Sequence, residues 1–98
     1  MKAKKNTKVV KGSLGIFLKE KRVAAGLSQA EVAEYFHYGS SQFISNWERG
    51  ISSPPVHTLK KLCTLYKVNQ DEMFEELLSY TINEVTSDLK FKFYKRIS

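Results

Sequence analysis

Glycines at positions 26, 39 and 50 and the Pro54–Pro55 pair cut most of this chain into short segments. Within each segment the apolar residues recur at helical spacing. Ser13 offers an N-cap, and Leu14, Phe17 and Leu18 follow, so a first helix is expected over about 13–25, stopped by Gly26. Ser28 and Glu31 form an S-x-x-E capping box before Val32, Ala33 and Phe36, which predicts a second helix over about 28–36. After the tight turn His37-Tyr38-Gly39, Ser40 is placed to cap a third helix over about 41–49, with Ile44 and Trp47 inward and Gly50 as its end. Pro55 fits the first turn of a fourth helix carrying Val56, Leu59, Leu62, Cys63 and Tyr66. Asn69 and Glu72 make a second cap-and-return pair, opening a fifth with Met73, Phe74 and Leu77. The fold class is therefore all-α, with five helices and no internal repeat.

The last twenty residues allow two patterns. Leu78, Ile82, Val85, Leu89, Phe93 and Ile97 make a helical stripe, whereas Leu89, Phe91 and Phe93 alternate with lysines as in a strand. The helical stripe is longer, so helix is expected through about residue 93. That stripe either folds back on the domain as core or forms a dimer seam. The seam is preferred, because a single short helix alone rarely supplies enough affinity for a partner.

At 98 residues the chain has room for one domain with a modest core. The net charge is +6, and its distribution is uneven. Residues 1–11 carry Lys2, Lys4, Lys5, Lys8 and Lys11 and no acid, residues 12–60 add only +1, and residues 61–98 balance. The excess thus sits in a basic arm, read as a disordered segment over 1–12 that either wraps or enters a groove of a polyanion or is simply a solvated tail. Cys63 stands alone, which gives no disulfide framework and fits a reducing cytoplasm. No leader-like or membrane-length apolar run is present. His37 and His57 lie near neither each other nor the cysteine, so no metal or other cofactor is expected. No Ser-His-Asp set, carboxylate pair or glycine-rich phosphate loop appears, so the chain does not read as an enzyme.

Two helices joined by a tight turn, the second short and polar on one side, are the geometry that places a helix in the DNA major groove. Helical angles test this. With Ile44 facing inward, Trp47 and Glu48 fall within about 60° of it at about 100° per residue. Gln42, Asn46 and Arg49 fall about 140–200° away and point out together. Ser45 lies at the edge of that face and Ser41 nearer the core side. Gln and Asn can pair bidentately with adenine, Arg with guanine or a phosphate, and Ser is a short adaptable partner. A face meant only for water would more often carry Lys and Glu.

The stretch from Leu14 to Leu78 resembles the lambda-repressor-like, Xre-type helix-turn-helix proteins. The resemblance is carried by Leu14-Gly15 and Leu18, Arg22, Gly26-Leu27-Ser28-Gln29 and Val32-Ala33-Glu34. It continues through Ile44 to Gly50, Pro54, Thr58-Leu59, Leu62, Val68 and Asp71 to Phe74. It implies a domain over 13–78 and a C-terminal extension over 79–98. It also implies that Ser41, Gln42, Ser45 and Asn46 read bases, and that Arg22 and Glu48 form a partly buried ion pair between helices 1 and 3. Gln29 would bond a phosphate and brace the reading helix, joined on the backbone by Arg49, Ser52, Ser53, Thr58 and Lys60. The sequence departs from the family in a longer turn, with His37 where glycine usually stands, and in Lys67, which replaces the usual glycine between helices 4 and 5. The expected partners are double-stranded DNA and a second copy, with no membrane. The expected function is a dimeric repressor on a palindromic operator. An antitoxin-like module, whose tail clamps another protein while the domain binds DNA, is the alternative.

Overall fold

A computed structural model describes residues 13–95 of the chain; the basic arm over 1–12 and Ile97 lie outside the described residues. Among them are five helices and no strand: α1 Ser13–Ala24, α2 Gln29–Tyr35, α3 Gln42–Glu48, α4 Val56–Tyr66 and α5 Gln70–Tyr94.

The predicted punctuation marks sit at the helix ends. Gly26 takes a φ of 77° just past α1, where a side chain would be strained. Ser28 caps α2 in a complete capping box: its Oγ accepts from the Glu31 N–H at 3.0 Å, and the Glu31 carboxylate accepts from the Ser28 N–H at 2.8 Å. In the lengthened turn His37 sits in the left-handed region at φ 61°, and the Tyr38 N–H donates to the Ala33 carbonyl at 2.9 Å. A histidine there costs less than most residues would. Lys67 likewise caps α4 at φ 59°, with the Val68 N–H donating to the Cys63 carbonyl at 2.9 Å. The turn therefore keeps the left-handed shape that glycine would favour, and lysine carries the cost.

Three expectations about caps need correction. Pro55 is the N-cap of α4 and not part of its first turn. Ser41 holds the N-cap position of α3 without a side-chain bond; the Ser40 Oγ instead accepts from the Gln42 N–H at 3.2 Å. Asn69 caps α5, accepting from the N–H groups of Asp71 and Glu72, but the bonds run one way: the Glu72 carboxylate turns to Lys21, 3.5 Å away on α1.

The core is formed by Leu14, Leu18, Val32, Ile44 and Leu62, none more than 2% exposed, with Trp47, Leu59, Tyr66 and Met73 around them. α3 is held between α1 and α2, while α4 and the start of α5 close the other side. α5 enters this core through Met73, with Leu77 and Tyr80 partly buried against it. It then continues as helix through Tyr94, which overturns the strand pattern over 89–93. It also overturns the folding back of the stripe onto the domain. Between Gln70 and Tyr94 there is no glycine or proline at which the chain could reverse, and Ile82, Val85, Leu89 and Phe93 remain exposed.

Candidate nucleic-acid interface

The orientation of α3 is set from below by one buried cluster. Arg22 of α1 meets Glu48 with two bonds, Nε to Oε2 at 2.6 Å and an Nη2 bond to Oε1 at 3.1 Å. Its remaining nitrogen, Nη1, donates to the Leu27 carbonyl at 2.7 Å. The Gln29 Nε2 donates to the same Glu48 Oε1 at 2.9 Å. A fork-to-fork pair of this kind fixes direction as well as distance. Both charged side chains are nearly out of solvent, at 10% and 4% exposure. The hydrogen bond to Glu48 raises the Arg22 pKa above its ordinary value, against the opposing pull of burial. Burial, helped by the Glu48 charge, pushes the nearby Tyr66 hydroxyl far up. Arg22 therefore stays charged and Tyr66 neutral across the physiological range.

Gly15 adds a second constraint. A Cβ at that position would come within 2.5 Å of the Trp47 carbonyl oxygen and 2.6 Å of the Glu48 carbonyl oxygen. The backbone of α1 thus touches the last carbonyls of α3 directly. Gly15 stands among the residues that carry the family resemblance, and this close approach gives it a role there. Its signal was a glycine inside a helix, where alanine would be better by about 1 kcal/mol unless something needs the space.

Above this base the outward face of α3 is linked side chain to side chain. The Asn46 Oδ1 accepts from the Gln42 Nε2 at 2.9 Å and from an Arg49 Nη2 at 3.2 Å. Gln42 and Arg49 are exposed, and Ser41, Ser45 and Asn46 are partly so. Ser52 and Ser53 are exposed in the loop after α3, and Lys60 is exposed one turn into α4. Thr58 does not join them: the whole residue is only 4% exposed. The first turn of α4 has no side-chain cap. Phe43 borders the same face. Its ring lies 5.0 Å from that of Tyr38, yet it is 56% exposed at the edge of the outward face. No helix among the described residues is long and apolar enough to cross a membrane.

Two comparisons bear on this arrangement. A family model described as helix-turn-helix matches residues 18–72. The HTH-type transcriptional regulator ImmR of Bacillus subtilis (strain 168) is 40% identical over 88 residues, covering 80% of this chain and 68% of the relative. The matched span runs from Leu18 of α1 to the first turn of α5, and so takes in the buried Arg22–Glu48 base and the whole of α3. With five helices in this order, the chain belongs to the lambda-repressor-like, Xre-type helix-turn-helix family.

Proposed function

We propose that the chain is a sequence-specific DNA-binding regulator of transcription, acting as a homodimeric repressor that reads a palindromic operator with α3. The observation that carries this is the linked outward face of Gln42, Asn46 and Arg49, mounted on a buried ion pair. Side chains held in place before binding lose less freedom on meeting a base edge. Gln42 and Asn46 suit adenine, with Ser41 and Ser45 beside them, and Phe43 offers an apolar edge to a thymine methyl. Gln29, Arg49, Ser52, Ser53, Lys60 and the first turn of α4 take phosphates, which position the domain without reading sequence. The arm over 1–12 supplies much of the salt dependence, because it holds most of the net charge.

Selection of bound duplexes from a random pool at near-physiological salt tests this. A palindromic consensus is expected. Gln42→Ala and Asn46→Ala should each then cost about 1–3 kcal/mol on that consensus and almost nothing on random DNA. Equal loss on both would place the reading face elsewhere. A pool that enriches nothing would put the protein-interaction reading first.

A further inference from the structure

We infer that Phe43 reads the C5 methyl group of one pyrimidine in the major groove, so that binding responds to whether that base carries its methyl. This rests on the DNA-reading proposal above and names the group that the apolar edge of the α3 face recognises.

The position follows from the helix. With Ile44 inward, Phe43 and Ser45 each lie about 100° away on opposite sides, so they flank the outward set of Gln42, Asn46 and Arg49. Phe43 directly follows Gln42 at the start of α3, the part of a reading helix that meets base edges. It is 56% exposed, whereas its neighbour Ile44 is fully buried.

The ring of Phe43 is braced from behind. Its centroid lies 5.0 Å from that of Tyr38, with the planes tilted by 55°. Tyr38 in turn stacks on Phe36 at 5.4 Å and meets the buried Trp47 edge-on at 6.1 Å. Phe36 and Tyr38 are themselves packed against the core. The rings thus run from the interior, through the lengthened turn, to the edge of the outward face. Offset and edge-on aromatic contacts add to burial and fix the geometry of their members. A ring held in this way before contact loses little freedom when contact is made.

Chemistry narrows what the ring can meet. A phenyl group has no donor and no acceptor, so it bonds neither a phosphate nor the polar atoms of a base edge. Among the groups that distinguish base pairs in the major groove, the apolar one is the C5 methyl of thymine. A 5-methylcytosine carries the same methyl on the same ring carbon, so both bases share the chemistry that Phe43 recognises. Gln42, next in the chain, suits adenine, whose paired thymine turns its methyl into the same groove. The amide and the ring therefore divide the work: Gln42 takes the polar edge and Phe43 the methyl. A ring packed on a deoxyribose instead would be blind to that methyl.

Two parallel selections with the full chain at near-physiological salt test this. One uses a random duplex pool, and the other the same pool built with deoxyuridine in place of thymidine. The thymine pool should yield a consensus that binds more tightly than its uracil version. Fluorescence anisotropy with single uracil replacements should then find a position where loss of the methyl weakens binding about fourfold, the worth of one buried carbon group. Phe43→Ala should bind the thymine and uracil versions of that position equally. Phe43→Gln serves the same purpose if circular dichroism shows the alanine variant unfolded. With a G·C pair at that position, 5-methylcytosine should bind about fourfold more tightly than cytosine, and Phe43→Ala should remove the difference. A response to uracil without one to 5-methylcytosine would support the contact and confine it to thymine. A methyl response that persists in Phe43→Ala would overturn the inference, as would equal loss by that variant on thymine and uracil duplexes. If both pools give one consensus of equal affinity, the methyl reading fails while the DNA reading stands. If neither pool enriches, the DNA reading fails and the methyl reading with it.

Discussion

The two ends of α5 have the same composition rules and opposite surroundings. Its first eleven residues bury Met73 and press Leu77 and Tyr80 against the core, whereas Val85 to Lys95 are exposed throughout. Both halves are amphipathic. What separates them is where the apolar side chains point relative to α1 and α4. Met73, Leu77 and Tyr80 face the domain, and the Phe74-to-Phe93 stripe turns away from it. One helix thus carries two seams, one satisfied within the chain and one left over. Periodicity alone identifies a helix with an apolar stripe, but only the contacts show which stripe is already used.

The contrast can be broken most severely on the satisfied side. Glu48→Ala leaves the Arg22 guanidinium buried without its partner, and the expected loss is about 3–5 kcal/mol by urea unfolding. Replacing both residues by apolar side chains of similar volume should cost much less than the two single losses together. A small loss for Glu48→Ala would mean that the cluster is open to water.

On the other side, truncation after Glu84 should change the unfolding free energy of the dilute monomer by less than about 0.5 kcal/mol, because the removed residues are exposed throughout. A larger loss would show that the distal helix contacts the domain.

The smallest effect lies within the packed half of α5. Burial raises the Glu76 pKa, and the charges of Glu72 and Glu20 raise it further. A carboxyl whose folded pKa exceeds its unfolded value destabilises the fold once both states are ionised. That penalty develops as pH rises from the ordinary carboxylate value through the folded one. Glu76→Gln should therefore raise the melting temperature at neutral pH, and the gain should vanish in acid, where the carboxyl is protonated in both states. A gain independent of pH would assign the effect to packing.

Much of the domain was legible because its signals are local. Ser28 and Glu31 lie three residues apart, and Gly26 and Gly50 mark ends where φ must be positive. The outward set on α3 follows from helical angles with Ile44 inward. Less legible was whatever depends on residues far apart in sequence. Thr58 looked like a backbone-contacting residue from its place after the Ser52–Ser53 loop, yet its side chain packs inward. Glu72 had the spacing of a capping return, but Lys21, 51 positions earlier in the chain, claims its carboxylate. Each miss has one cause: tertiary neighbours compete for a side chain that local pattern had already assigned.

Gly15 has a consequence for how such a domain can change its target. α3 is referenced to α1 by main-chain contact and to the interior by Ile44, Trp47 and Glu48. The outward positions 42, 46 and 49 bond to one another and supply none of that reference. They are a legend printed on a fixed plate. New letters can be set at those positions without moving the plate, so divergence in what the helix recognises need not be accompanied by divergence in how the domain folds.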